Sequence, residues 1–179
     1  MNEAREHEDS LRRRVIILFF LGLLMMAIVA LGIGWLCADW GRIRLGWLNQ
    51  FLGPALTVGG FALVGWSVRV QVVLGNGTPV PKVATQRLVT HGPYAYSRNP
   101  MTLGALWMYL GIGIWMGSGV VILLTVIVFS ALLTFIYFHE TRELAGRFGE
   151  EYLAYKKRTP FLWPRFTMKT SMNEKKDLS

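Results

Sequence analysis

Cysteine is almost missing from this chain: Cys37 is the only one in 179 residues. A lone thiol cannot close an internal disulfide, so no oxidised framework is expected. Asp39 alone beside it makes a poor metal or nucleophilic set, and a packing role suits Cys37 better. Histidine is nearly as scarce, with three in all. No two histidines stand four apart on a helix and no cysteine pair supports them, so no metal site is expected. His91 reads as a hydrogen-bonding loop residue and His139 as an interfacial one. Charge is thin as well, at 17% of residues. Gly75-Asn76-Gly77-Thr78-Pro79-Val80-Pro81 lacks the Lys-Ser or Lys-Thr ending and the preceding strand of a phosphate loop. It reads as a proline-bearing linker that can also form one rim of a pocket. No internal repeat is present.

What fills the chain instead is apolar sequence, 53% of it, arranged in runs. A helix needs roughly 20 such residues to cross a bilayer. Val15 to Cys37 carries no charge, is too long for a signal-peptide core and has no small-residue cleavage pattern after it. A second run covers about Leu52 to Leu74, with Arg69 and Gln71 in its last two turns, where they can snorkel to the interface. From Met101 to Phe138 there are 38 residues without a charge, too many for one ordinary span and right for two short ones. The reversal falls near Trp115-Met116-Gly117-Ser118-Gly119, where glycines and serine favour a turn. Gly59-Gly60 and Gly111-x-Gly113 lie within spans, where small residues permit close helix contact.

The formal charge of +8 could suggest a nucleic-acid partner, but its placement argues against one. Arg12-Arg13-Arg14 stands just before the first span and Lys156-Lys157-Arg158 after the last, as at cytoplasmic ends facing anionic headgroups. Lys82, Arg87 and Arg98 lie in the 75–100 connection, and nine lysines and arginines follow Phe138. The other turns are poorer in basic residues. Both termini and the 75–100 connection are therefore expected in the cytoplasm.

Two polar regions then share one side of the membrane. His91-Gly92-Pro93-Tyr94-Ala95-Tyr96-Ser97-Arg98-Asn99-Pro100 is a turn-rich segment between spans, and irregular polar backbone there needs water or a polar cavity. Residues 139–158 read as an amphipathic helix: Leu144, Phe148, Tyr152 and Tyr155 share a face, while Glu143 and Arg147 pair four apart. Pro160 stops it. Glu140, four residues before Leu144, continues the inward stripe, and a carboxylate at a membrane boundary wants a cation.

Leu88-Val89-Thr90-His91-Gly92-Pro93-Tyr94, Arg98-Asn99-Pro100 and Gly104 resemble the signature of integral-membrane methyltransferases. These include isoprenylcysteine carboxyl methyltransferases and phosphatidylethanolamine N-methyltransferases. Glu140, Leu144, Phe148-Gly149-Glu150-Glu151-Tyr152, Tyr155 and Pro160 are similar to the C-terminal block of that family. The resemblance covers residues 75–164 and implies a catalytic core there, after two N-terminal spans in 1–74 and before a basic tail at 165–179. It implies an all-α polytopic membrane protein of about four transmembrane helices, with the hairpin at 101–138. A cytoplasmic cofactor pocket and the C-terminal amphipathic helix at 139–158 complete it.

The implied activity is methyl transfer from S-adenosylmethionine, giving S-adenosylhomocysteine, to a lipophilic or amphiphilic acceptor among membrane lipids. By position, Gln86, Arg87, Leu88 and Val89 would wrap the cofactor, with Tyr94, Asn99, Pro100, Met101 and Thr102 also against it. Glu140 would supply the acid. Arg98 is the candidate to orient an anionic group. Several positions depart from the commonest family pattern: Asn99 for histidine, Thr102 for tyrosine and Thr141 for the second glutamate. Ile136 stands where the prenylcysteine enzymes carry a substrate-binding arginine. The resemblance thus speaks to the methyl donor more than to the acceptor. Rival readings are an NADPH-dependent reductase of the sterol reductase type and a non-enzymatic lipid-binding membrane protein.

Overall fold

The structure is a computed structural model that describes residues 2–37, 41–75 and 87–163; the side chains of residues 2–9, 140 and 141 lie outside the description. Among the described residues four α-helices follow one another: α1 Asn2–Leu36, α2 Trp47–Gly75, α3 Pro100–Met116 and α4 Gly119–Arg158. A 3-10 turn, Gly92–Ala95, precedes α3. Among the described residues three segments are long and apolar enough to cross a bilayer: Ser10–Leu36, Trp47–Gly75 and Gly119–His139. Their outward side chains are apolar, Leu18, Val58 and Leu123 among them, as lipid-facing surfaces require.

The charge-free stretch does fold as a hairpin, though its first helix is short. α3 has 17 residues, about 25 Å against a hydrocarbon core of roughly 30 Å. It is also the enclosed member of the bundle, packing on α1, α2 and α4. The reversal is built at Gly117, whose φ of 62° is open to glycine at little cost. Its N–H and that of Ser118 satisfy the last carbonyls of α3, and the Ser118 hydroxyl accepts the Val121 N–H at 3.3 Å to start α4. The connection from α1 closes over this turn: Ile43 N–H donates to Gly117 O at 2.7 Å and Gly119 N–H to Gly41 O at 3.0 Å.

Inside a bilayer the helices gain little from leaving lipid, so close backbone packing has to hold them. Gly53 and Gly60 of α2 face Gly104 and Gly111 of α3, each pair two turns apart. A Cβ on Gly104 would lie 2.7 Å from Gly60 O, and one on Gly111 2.5 Å from Thr57 N. Gly60 and Gly111 therefore pack as expected. Gly59 instead faces open space, because it sits on the lipid side of α2, while Gly113 admits Ile122 of α4. Tyr109 ties α1 to α3 by donating its hydroxyl to Leu23 O at 2.8 Å, and its ring meets Phe129 of α4 at 5.9 Å.

α4 does not stop where its apolar stretch ends. It continues through His139 and the charged turns beyond, since no helix breaker interrupts residues 139–145. The axis breaks only at Gly149, with φ 52° and ψ −126°, a backbone region suited to glycine. The final turns then lie across the segment preceding α3.

Candidate functional site

The site is built where three irregular or kinked pieces meet at one end of the bundle. Gly92, at φ 62°, lets the chain turn tightly against Val70 and Trp66 of α2, and Pro93 opens the 3-10 turn. That turn presents Tyr94 to α2, where its hydroxyl donates to Gln71 Oε1 at 3.0 Å. From the other side, Tyr155 of α4 donates its hydroxyl to Tyr94 O at 2.7 Å. The two polar regions of the sequence are thus joined directly.

Further along, residues 97–99 are stitched to the chain beyond α4. Arg98 N–H donates to Pro160 O at 2.9 Å, Ser97 Oγ to Phe161 O at 3.4 Å, and Asn99 Nδ2 to the same carbonyl at 3.2 Å. Pro100 then begins α3 at a position where its missing N–H costs nothing. The Asn99 side chain makes no cap hydrogen bond, because it is turned to Phe161.

Arg98 is the strongest electrostatic feature here. Its Nη1 donates to the hydroxyl of Tyr152, itself only 2% exposed, at 3.1 Å. Its guanidinium lies 5.5 Å from the centre of the Phe161 ring. Its buried Nε has no hydrogen-bond partner. A guanidinium fixed by a ring and a phenol at the wall of a cleft can offer its remaining Nη N–H groups to an anion.

Arg98 lines a cleft together with Gln71, Leu88, Val89, Tyr94, Leu144 and Tyr155. The cleft is small, with a volume of about 70 Å³. Its walls pair apolar and aromatic surface with one cation and one amide. Of the residues singled out by sequence, Leu88, Val89, Tyr94 and Arg98 come together in this cleft. Arg87 is exposed, and Asn99, Pro100, Met101 and Thr102 form the head of α3 without lining it. Gln86 lies outside the described residues. Glu140 is one helical turn before the lining Leu144, and its side chain lies outside the description.

Five contributors were not singled out as site residues by sequence: Gln71, Leu144, Tyr152, Tyr155 and Phe161. Gln71 had a usable signal, since a polar residue within an apolar helix is by default a site candidate. It does not snorkel as expected but accepts from Tyr94; Arg69 is the exposed member of that pair. His91 and His139 do not line the cleft. His91 sits beside Thr90 Oγ1 at 3.3 Å, and His139 stacks on Phe135 at 4.8 Å. Among the described residues no three His, Cys, Asp or Glu side chains gather as a metal site would need.

Comparison with known proteins places this geometry. A solved eukaryotic intramembrane Ras methyltransferase, isoprenylcysteine carboxyl methyltransferase, is similar in fold with a TM-score of 0.59 and 18% identity. The match covers 76% of this chain and 51% of that one, so this chain spans about half the length of that relative. A comparison with curated proteins gives no match. The family model of phospholipid methyltransferases matches residues 48–151, more than half of the chain. The matched segment runs from α2 through the 3-10 turn and the hairpin to just past the Gly149 break of α4, and includes every residue lining the cleft except Tyr155. The chain belongs to the phospholipid methyltransferase family.

Proposed function

We propose that this protein transfers a methyl group from S-adenosylmethionine to a lipophilic or amphiphilic acceptor at the membrane surface. The observation that carries the reading is the cleft that Arg98 lines together with the apolar wall of Leu88, Val89 and Leu144. The donor set suits the cofactor's chemistry. Its carboxylate matches the guanidinium, and its adenine matches an apolar and aromatic wall. Ligand pockets measure about 300–1,000 Å³, so a cleft of about 70 Å³ takes in only one part of such a molecule, and the rest lies across the open surface.

Bound there, S-adenosylmethionine supplies an activated methyl group, and the protein's task is alignment and exclusion of water. Orientation alone can contribute about 7–11 kcal/mol in favourable cases. Arg98 would hold the carboxylate, with Tyr152 and Phe161 fixing its plane. Tyr94, set by Gln71 and Tyr155, would form the wall beside the reacting centre. Gln86, Arg87, Leu88 and Val89 would wrap one side, with Asn99, Pro100, Met101 and Thr102 supporting the other from the start of α3. Glu140 would supply the acid that holds the cofactor's ammonium or hydroxyls. The basic residues flanking the spans support a cytoplasmic site and cytoplasmic termini.

Purified protein in nanodiscs, titrated with S-adenosylmethionine and separately with NADPH, tests the cofactor. Saturable binding of the first alone is expected; binding of NADPH alone, or of neither, overturns the reading. Incubation with labelled S-adenosylmethionine and a membrane lipid extract then identifies the acceptor from the labelled product.

A further inference from the structure

A second cavity lies far from the cleft, between α1, α3 and α4, and encloses about 420 Å³. Tyr109, Thr125 and Phe129 are buried at its floor, while Met25, Met26 and Val128 are exposed at its mouth. The hydroxyls on that floor are already engaged: Tyr109 donates to Leu23 O at 2.8 Å and Thr125 to Val121 O at 2.7 Å. An apolar cavity so lined stays dry, and at this depth of the spans no water competes for it. Its occupant has to be hydrocarbon.

The shape narrows the choice. The lining runs from Met25 to Ile33 on α1 and from Val121 to Phe129 on α4. Eight helical steps measure about 12 Å, close to the roughly 15 Å depth of one leaflet's hydrocarbon. The mouth of the cavity, marked by the exposed Met25, Met26 and Val128, opens on the lipid-facing surface of α1 and α4, where acyl chains are the solvent. The groove also has a defined depth. Ile33 and Val121 lie by the α3–α4 turn, whereas the cleft lies at the opposite ends of α2 and α3.

We propose that this groove binds one acyl chain of a membrane lipid, drawn from the leaflet opposite the methyl-transfer cleft. The chain completes the packing of α1 against α3 and α4, where the protein alone leaves a slot. The two methionines at the mouth suit this role, because their flexible side chains adapt to an irregular hydrocarbon surface. The proposal does not depend on the identity of the methyl acceptor.

The test uses the full chain in nanodiscs containing phosphatidylcholine with a mid-chain diazirine, diluted into unlabelled phosphatidylcholine. After irradiation, adducts are mapped by mass spectrometry. Adducts that saturate with probe fraction are expected on the peptides containing Met25–Ile33 and Val121–Phe129. Unlabelled lipids should compete whatever their headgroup. Ala30→Phe, which places a ring in the groove, should abolish the saturable adducts, and Leu123→Phe on the lipid face should not. Val128→Trp at the exposed mouth repeats the block without disturbing the floor, so a folding defect in Ala30→Phe leaves the test intact. Adducts that rise linearly and spread over Leu18, Val58 and Leu123 would show annular lipid only and overturn the proposal. Cross-links between two copies through these peptides would overturn it as well.

Discussion

Arg98→Gln separates the binding role of this residue from its structural one. Glutamine keeps an amide N–H that can reach towards Tyr152 but removes the charge and the unpartnered Nε. A charge-assisted hydrogen bond to a carboxylate contributes about 1.5–3 kcal/mol. The guanidinium is partly exposed, so the lower end applies, and about 1.4 kcal/mol is a factor of ten in affinity. S-adenosylmethionine should therefore bind roughly tenfold more weakly to the variant. The interactions removed within the protein are weaker: about 1 kcal/mol for the bond to Tyr152 and about 0.5–1 kcal/mol for the Phe161 ring. Removing a buried unsatisfied donor offsets part of that, so the apo melting temperature should fall by only about 2–4 °C. Calorimetric titration in nanodiscs measures the affinity. The decisive control is decarboxylated S-adenosylmethionine, which lacks the group Arg98 is assigned to hold. It should bind wild type and variant alike. An equal loss for both ligands, or no loss for either, would refute the assignment.

Four further substitutions probe the frame around the site. Gly104→Val should abolish folding into a monodisperse species, read by size exclusion in detergent, because its Cβ would meet Gly60 O and backbone of α2 rather than a yielding side chain. Tyr155→Phe leaves the Tyr94 carbonyl without this donor, a loss of about 1–3 kcal/mol; binding of S-adenosylmethionine should weaken while the far-ultraviolet dichroism stays unchanged. Gly149→Ala should cost about 1–3 kcal/mol through strain at its positive φ. Gly146→Ala, at a helical position with open space beside it, should be neutral or stabilising. Thermal melts of the two side by side test whether the break at Gly149 is demanded by the fold.

The helices were legible because lipid imposes a coarse rule. A predominantly apolar run of sufficient length has to be helical where water cannot satisfy its backbone, and the spans at 15–37, 52–74 and 101–138 were found on that basis. The hairpin turn at Gly117-Ser118 was legible for a local reason, since a glycine at the left-handed position and a serine N-cap are chemical necessities there. The helix faces were less legible. Gly59 and Gly60 are adjacent and identical in type, and only the rotation of α2 decides which one meets α3. The continuation of α4 to Gly149 was hidden similarly. The change from apolar to charged sequence at His139 marks a change of solvent, and a helix crosses such a boundary without changing its backbone.

For the site, sequence identified the polar turn but not how its residues are held. The bonds that position it run from Tyr94 to Gln71, from Tyr155 back to Tyr94, from Arg98 to Tyr152 and from Asn99 to Phe161. They join residues separated by 23, 61, 54 and 62 positions. No local pattern encodes such distances, and two of the partners are backbone carbonyls, which carry no residue identity. What sequence can register is the demand each polar group makes. Gln71 in an apolar helix, Arg98 beside a membrane and Tyr152 on an inward stripe each need a partner that their own segment cannot supply. The family's two separated blocks are the two halves of that exchange. The turn before α3 supplies a cation and a carbonyl, and the kinked end of α4 returns the phenols that hold them. A substitution in either block should therefore disturb the other, and Arg98→Gln combined with Tyr152→Phe should cost less than the sum of the two alone.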